Sequence, residues 1–385
     1  MPVLSEKLKI LKEKSLLREI KDRESPQGPR VQFGGREHIN FSSNDYLGLA
    51  NHPYIIDKAK KAMDNYGHGS AASRLLGGGS ILHKELEERI AQFKGTEAAL
   101  VFNSGYAANT GIIPTIADED TAIFSDELNH ASIIDGCRLS KAKTLIYRHR
   151  DLSHLEELIK KEDAKKKIVI TDTVFSMDGD IAPLKEIYSI CASLNSTLST
   201  EHSTLLYIDD AHGTGVLGNG RGALAHFHIK PEPWIIQMGT FSKALGSFGG
   251  FVAGSRDVIE WILNTARSFI FSTALPSCII AASIAAVELI ENDSELIKRL
   301  WENRNKVADG IKELGYNIMG SETPIIPLKT GTIEETLRVS RHLYEKGIFT
   351  PAIRPPTVKE PRIRITVTAA HTDEDIERLI EALSI

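Results

Sequence analysis

Lys243 stands in Gly239-Thr240-Phe241-Ser242-Lys243-Ala244-Leu245-Gly246, just beyond the apolar run Trp234-Ile235-Ile236-Gln237-Met238. A second run, Leu205-Leu206-Tyr207-Ile208, leads into Asp209-Asp210-Ala211-His212-Gly213. A lone lysine is ordinarily a solvated surface charge. At the end of one buried strand, with an aspartate and a histidine at the end of another, it can do chemistry. The amine can form a Schiff base, a carboxylate can keep a ring nitrogen protonated, and the imidazole can reach a phenolic oxygen. Those are the groups that pyridoxal phosphate (PLP) asks of a protein. Asp209 and Asp210 are rivals for the ring nitrogen.

The remaining candidates follow other apolar runs. After Phe102 comes Asn103-Ser104-Gly105-Tyr106-Ala107-Ala108-Asn109, a turn opening a helix, where backbone N–H groups can bind a phosphate and Gly105 permits close approach. Thr240 and Ser242 flank Lys243 and add hydroxyl donors; Ser272-Thr273, from a partner subunit, is a third source. His130, in Asp126-Glu127-Leu128-Asn129-His130-Ala131-Ser132, can stack on the ring face. Ser176, in Val174-Phe175-Ser176-Met177-Asp178, can donate to the phenolic oxygen or simply cap a turn. Arg354, in Ile353-Arg354-Pro355-Pro356-Thr357, offers a guanidinium in a proline-stiffened segment, suited to a carboxylate. The glycine runs at Gly77-Gly78-Gly79 and Gly246 to Gly250 match neither GxxxxGK[ST] nor GxGxxG and read as tight turns. Cys137, Cys191 and Cys278 are too far apart for metal-ligand spacing, and no metal is expected.

These residues need a frame. Seven short apolar runs, Ala98 to Phe102, Thr121 to Phe124, Thr144 to Tyr147, Ile168 to Thr171, Leu205 to Ile208, Trp234 to Met238 and Gly250 to Ala253, alternate with helical segments. The pattern predicts an α/β fold with a seven-stranded, mostly parallel sheet covered by helices, and ligands beyond the carboxyl ends of its strands. Leu4, Leu8, Leu11 and Leu16 predict an N-terminal amphipathic helix, and Leu82, Leu86, Ile90 and Phe93 another. The last hundred residues read as a smaller α+β domain. Its strands are expected at Pro324 to Leu328, Ile348 to Ala352 and Arg362 to Thr368, its helices near Glu334 to Lys346 and Asp373 to Leu383, with a long helix from Ala281 to Glu313 leading in. Alternation in Arg362 to Thr368 predicts a half-buried strand. The expected division is an N-terminal helix and extended segment over 1–45, a large domain over 46–285 and a small C-terminal domain over 286–385.

A chain of 385 residues with a formal net charge of -5 gives no reason to expect nucleic acid or an anionic membrane as partner. The charged N-terminus is unlike a signal peptide, and the longest apolar stretch, Cys278 to Val287, is too short for a bilayer. A cytoplasmic location is expected.

In this order, from Asn44-Asp45-Tyr46-Leu47-Gly48-Leu49 to Ala369-Ala370-His371, the motifs resemble the α-oxoamine synthases, PLP-dependent enzymes of the aspartate-aminotransferase fold. The resemblance implies decarboxylative condensation of an amino acid with an acyl thioester. It makes Lys243 the cofactor's Schiff-base lysine, His130 the stacking ring, and Asp209, rather than Asp210, the partner of the ring nitrogen beside His212. It places Ser176 and Thr240 on the cofactor and Gly105 with Tyr106 in the phosphate cradle. Arg18, Asn44, Arg354 and Thr357 match substrate-contacting positions. Gly69-Ser70-Ala71-Ala72-Ser73-Arg74-Leu75 and the stretches around His130, His212 and Arg354 look most like the branch that joins L-alanine to a pimeloyl thioester, pimeloyl-CoA or pimeloyl-acyl carrier protein, in biotin synthesis. Sister members using glycine or serine share the cofactor residues and stay open, as does a non-catalytic PLP-binding regulator. The family implies a homodimer with interfacial active sites.

Overall fold

The structure, a computed structural model, describes residues 2–197 and 203–384. They fall into two compact units, one comprising 1–51, 177–180 and 298–385, the other 52–176 and 181–297.

In the first unit, β1 (Arg30–Phe33) and β2 (Arg36–Asn40) form a hairpin through Gly34 and Gly35, both at positive φ. The second unit carries β3 (Ala98–Phe102), β4 (Thr121–Asp126), β5 (Lys143–Tyr147), β6 (Lys166–Asp172), β7 (Ser203–Asp209), β8 (Ile235–Thr240) and β9 (Gly250–Gly254). Its sheet has the seven strands that the seven apolar runs predict, in the order β3-β9-β8-β7-β6-β4-β5. Only β9 is antiparallel to its neighbours, so the other six strands share one direction. The runs lack polar alternation because helices cover both faces; Leu100, Ile123, Ile168, Tyr207, Ile236 and Val252 lie in one buried cluster. Among the described residues no helix is long and apolar enough to cross a membrane.

Back in the first unit, β10 (Ile325–Lys329), β11 (Ile348–Phe349), β12 (Ala352–Ile353) and β13 (Arg362–Thr366) follow. β13 lies between β10 and β12, both antiparallel to it, while β11 pairs in parallel with β2. That pairing ties residues before Asn51 to the C-terminal chain, instead of leaving 1–45 as a region of its own. Residues 177–180 join the same unit because the Gly179 carbonyl accepts from Glu322 N, Thr323 N and Thr323 Oγ1.

Four local expectations change. The single strand expected at Ile348 to Ala352 is two, β11 and β12, which join different sheets. The N-terminal helix spans Pro2–Glu13 and stops before Leu16: Ser15 takes a φ of 56° and Leu16 N–H returns to the Leu11 carbonyl, a left-handed C-terminal cap. Leu4, Leu8 and Leu11 remain exposed. The long helix is two, Ser277–Asn292 and Ser294–Glu313, broken where the Asp293 carboxylate accepts from Glu295 N and so competes with helix continuation. Finally, β13 is buried on both faces. Arg362 is sheltered by donating to Asp178, Met177 O and Glu360 O, and Arg364 by Asn44 and Thr366. Alternation marks a polar face, but it cannot say whether water or protein meets it.

Candidate active site

Four strand ends of the second unit converge. His130 follows β4 and is the N-cap of the helix Ala131–Leu139; its backbone N–H donates to Asp172 Oδ2 at 2.6 Å, at the end of β6. Asp209 closes β7, and Lys243, half-buried, lies three residues past β8. Electrostatics register the proximity. Burial pushes the His130 imidazole below its ordinary pKa, Asp209 opposes that shift and Lys243 adds to it. Burial, then the Asp209 charge, push the Asp172 carboxyl well above the usual range, against the His130 N–H and Lys243. Burial thus biases the His130 ring toward its neutral form and the Asp172 carboxyl toward its protonated form, beside Asp209 and the Lys243 amine.

The two aspartates after β7 separate by role. Asp210, fully buried, takes Lys94 Nζ at 2.7 Å, Thr173 Oγ1 at 2.7 Å and Thr214 Oγ1 at 3.0 Å. Lys94 also donates to the Arg221 carbonyl, so the pair braces the loop from Asp210 to Gly222, in which His212 is buried. Asp209 points elsewhere: Ala211 N–H donates to Oδ1 at 3.0 Å and Asn109 Nδ2 to Oδ2 at 2.8 Å. A carboxylate with two donors keeps acceptor capacity for a ring N–H.

β3 runs into the helix Gly105–Ile116, capped by Ser104 Oγ on Ala107 N–H. The helix supplies no acceptor for its first N–H groups, which makes Gly105 and Tyr106 donors to an anion. Gly250 keeps this turn against the sheet; a Cβ there would lie 2.8 Å from Gly105 N. Thr240 Oγ1 donates to Gly249 O at 2.7 Å and meets Ser242 Oγ at 2.8 Å, stapling the Lys243 turn to β9. Ser242 itself is exposed. Thr273 bridges to Ser73, and its carbonyl accepts from Asn103 Nδ2 at 2.8 Å, while Ser272 and Asn103 line one small cavity. The Ser272-Thr273 segment thus contacts the cradle loop of its own chain. Ser176 is half-buried, four residues beyond β6.

The other four candidates lie in the first unit. Arg18 Nη2 donates to Thr357 Oγ1 at 2.8 Å, and Arg354 Nη2 to the Leu17 carbonyl at 2.8 Å, a reciprocal clasp between two segments. Arg354 Nε is buried without a partner. Asn44 Oδ1 accepts from Arg364 at 3.0 Å. Sequence reasoning passed over Asn109 and Asp172. Asp172 carried a signal, since it ends an apolar run just as Asp209 does. Asn109 carried none beyond its place one turn into the cradle helix.

A helix N-terminus for phosphate, a braced carboxylate for a ring nitrogen, a neutral imidazole and a strand-end lysine together fit PLP. The chain belongs to the aminotransferase class I and II family, whose model matches residues 36–383. Curated relatives 44–47% identical to it carry the name 8-amino-7-oxononanoate synthase; that of Thermoanaerobacter pseudethanolicus is 46% identical over 98% of this chain and 95% of its own. Among solved structures, Sphingomonas wittichii serine palmitoyltransferase superposes with a TM-score of 0.91 at 28% identity, covering 100% of this chain and 96% of that one. The 8-amino-7-oxononanoate synthase of Francisella tularensis gives 0.77 at 29% identity, covering 90% and 97%.

Proposed function

We propose that this chain is a PLP-dependent C-acyltransferase acting as an 8-amino-7-oxononanoate synthase, joining L-alanine to a pimeloyl thioester with loss of carbon dioxide. The observation that carries the chemistry is the convergence of Lys243, Asp209 and His130 beside a helix N-terminus. The relatives' shared name supports the substrates.

When bound, PLP supplies an aldehyde for the amino group and a cationic ring that accepts electrons from a breaking bond at Cα. Gly105 and Tyr106 N–H groups hold the phosphate, and Lys243, Asp209, His212, His130, Ser176 and Thr240 hold the rest. Asp209 keeps the proton on the ring nitrogen, since its carboxylate is anchored by Asn109 and Ala211. Neutral His130 stacks without adding positive charge. Lys243 Nζ takes the Cα proton of L-alanine, and Arg354, with an uncommitted Nε, binds the carboxylate. The Cα carbon then bonds to the thioester carbonyl carbon as the thiol leaves, the alanine carboxyl departs as carbon dioxide, and a proton returns to Cα. Arg18, Asn44 and Thr357 contact substrate in this reading. The enzyme is a cytoplasmic homodimer, and its acyl carrier is coenzyme A or an acyl carrier protein.

The test is turnover by the purified, PLP-loaded protein of L-alanine, glycine or L-serine with pimeloyl-CoA. CoA release and an amino-ketone product with alanine alone are expected. Turnover confined to glycine or serine assigns a sister reaction.

A further inference from the structure

Asn109 sits one turn into the helix Gly105–Ile116, completely buried. Its four hydrogen-bonding directions can be read from chemistry. Asp209 Oδ2, 2.8 Å away, can only accept, so the amide nitrogen must face it and the oxygen must face Tyr207. Tyr207 Oη, also fully buried, therefore donates to Asn109 Oδ1 at 2.6 Å. The second amide hydrogen goes to Ser132 Oγ at 2.8 Å. Ser132 in turn meets His130 Nδ1 at 2.7 Å, and Ser132 N–H also points at that nitrogen at 3.3 Å. A hydroxyl that accepts from Asn109 and faces a ring nitrogen already serving as acceptor donates to it. The imidazole proton is thus left on Nε2.

We infer that Asn109 is a positioning residue that sets the Asp209 carboxylate and the His130 ring together, so one side chain aligns both groups that grip the two faces of the cofactor's chemistry. This rests on the PLP reading above. The geometry is economical: the helix whose first turn binds the phosphate carries, one turn later, the amide that fixes the ring-nitrogen partner. The acceptor-only Asp209 carboxylate fixes which way the amide faces, and Tyr207 satisfies the amide oxygen on the other side. The charged and titratable groups around the network include Asp172, Lys243, His130, Asp209 itself, Tyr207 and Cys137, which faces Tyr207.

The test follows the absorbance of bound PLP as a function of pH, without substrates, in wild type, Asn109→Ala, Asn109→Asp and Tyr207→Phe. Asn109→Ala is expected to move the titration midpoint, weaken PLP retention and lower kcat, each roughly ten- to a hundredfold or one pH unit, with the alanine KM changed little. Asn109→Asp sets a second carboxylate against Asp209 and is expected to shift the midpoint further. Tyr207→Phe moves it in the same direction as Asn109→Ala, by less. A folded Asn109→Ala holoenzyme with the wild-type midpoint, retention and kcat overturns the inference. If that variant does not fold, a wild-type midpoint in Tyr207→Phe overturns it. Wild type that takes up no PLP overturns the cofactor reading and this inference with it. Wild type that binds PLP yet ignores alanine overturns only the substrate reading, and the midpoints still decide the role of Asn109.

Discussion

Asp172 and Asp209 are in-register partners at the carboxyl ends of β6 and β7, two carboxyl groups side by side in a buried site. Burial first, and then the charge of Asp209, push the Asp172 carboxyl upward and favour its protonated form. A carboxyl whose folded-state pKa is raised contributes stability that is complete below the ordinary carboxylate value. That contribution is lost as pH climbs through the raised one. Asp172→Asn keeps an oxygen for the His130 N–H and cannot ionise. Its melting temperature, followed from pH 5 to 9, is expected to fall less with rising pH than that of wild type. Parallel curves would mean that Asp172 is already ionised in the folded protein.

Lys243→Ala removes the amine that the site is built around. Turnover is expected to drop by at least ~1,000-fold, with PLP still retained through Asp209 and the phosphate cradle. Borohydride reduction followed by peptide mass analysis is the check: the cofactor mass should appear on the Lys243 peptide of wild type and on no peptide of the variant.

The Lys94–Asp210 pair has both side chains at 0% exposure. Removing one partner leaves an uncompensated buried charge, so Lys94→Met is expected to cost about 3–5 kcal/mol, read as a lower urea midpoint. Gly222 seals the same corner. At a φ of 101° its missing Cβ would overlap an Asp210 carboxylate oxygen and crowd Lys94 Nζ, and Gly222→Ala should destabilise comparably. Because this loop carries His212, both variants should also hold PLP less tightly if His212 contacts the cofactor as proposed. Unchanged cofactor affinity in a destabilised variant would separate the brace from the site.

If Arg354 binds the alanine carboxylate as proposed, Arg354→Ala is expected to raise the alanine KM by roughly tenfold or more, and to affect the acyl-donor KM far less. It also opens the contact to the Leu17 carbonyl. Arg354→Lys, which keeps the charge without the fork, should recover little. Steady-state kinetics on both substrates decide it.

The strand ends that carry the candidate residues are legible in the sequence because strands announce themselves locally. Each of the seven runs is a short apolar segment followed by a polar residue, and a parallel sheet puts every such residue at one edge. Lys243, Asp209, His130 and Gly105 all follow such runs, and the structure places each at or just past a strand end. The helix break at Asp293 was harder, since a single Asx turn must win against two strongly helical flanks.

Sequence by itself determined the order of elements, the chemistry available at their ends and the family, because apolar runs, turn residues and motifs act over a few positions. Only tertiary structure shows what the neighbours Asp209 and Asp210 bond to, through Asn109 and Lys94, residues a hundred positions or so away in the chain. The same holds for Arg362 and Arg364, whose burial depends on Asp178 and Asn44. A buried polar group is tolerated only where distant partners satisfy it, and partners at that separation leave no local trace.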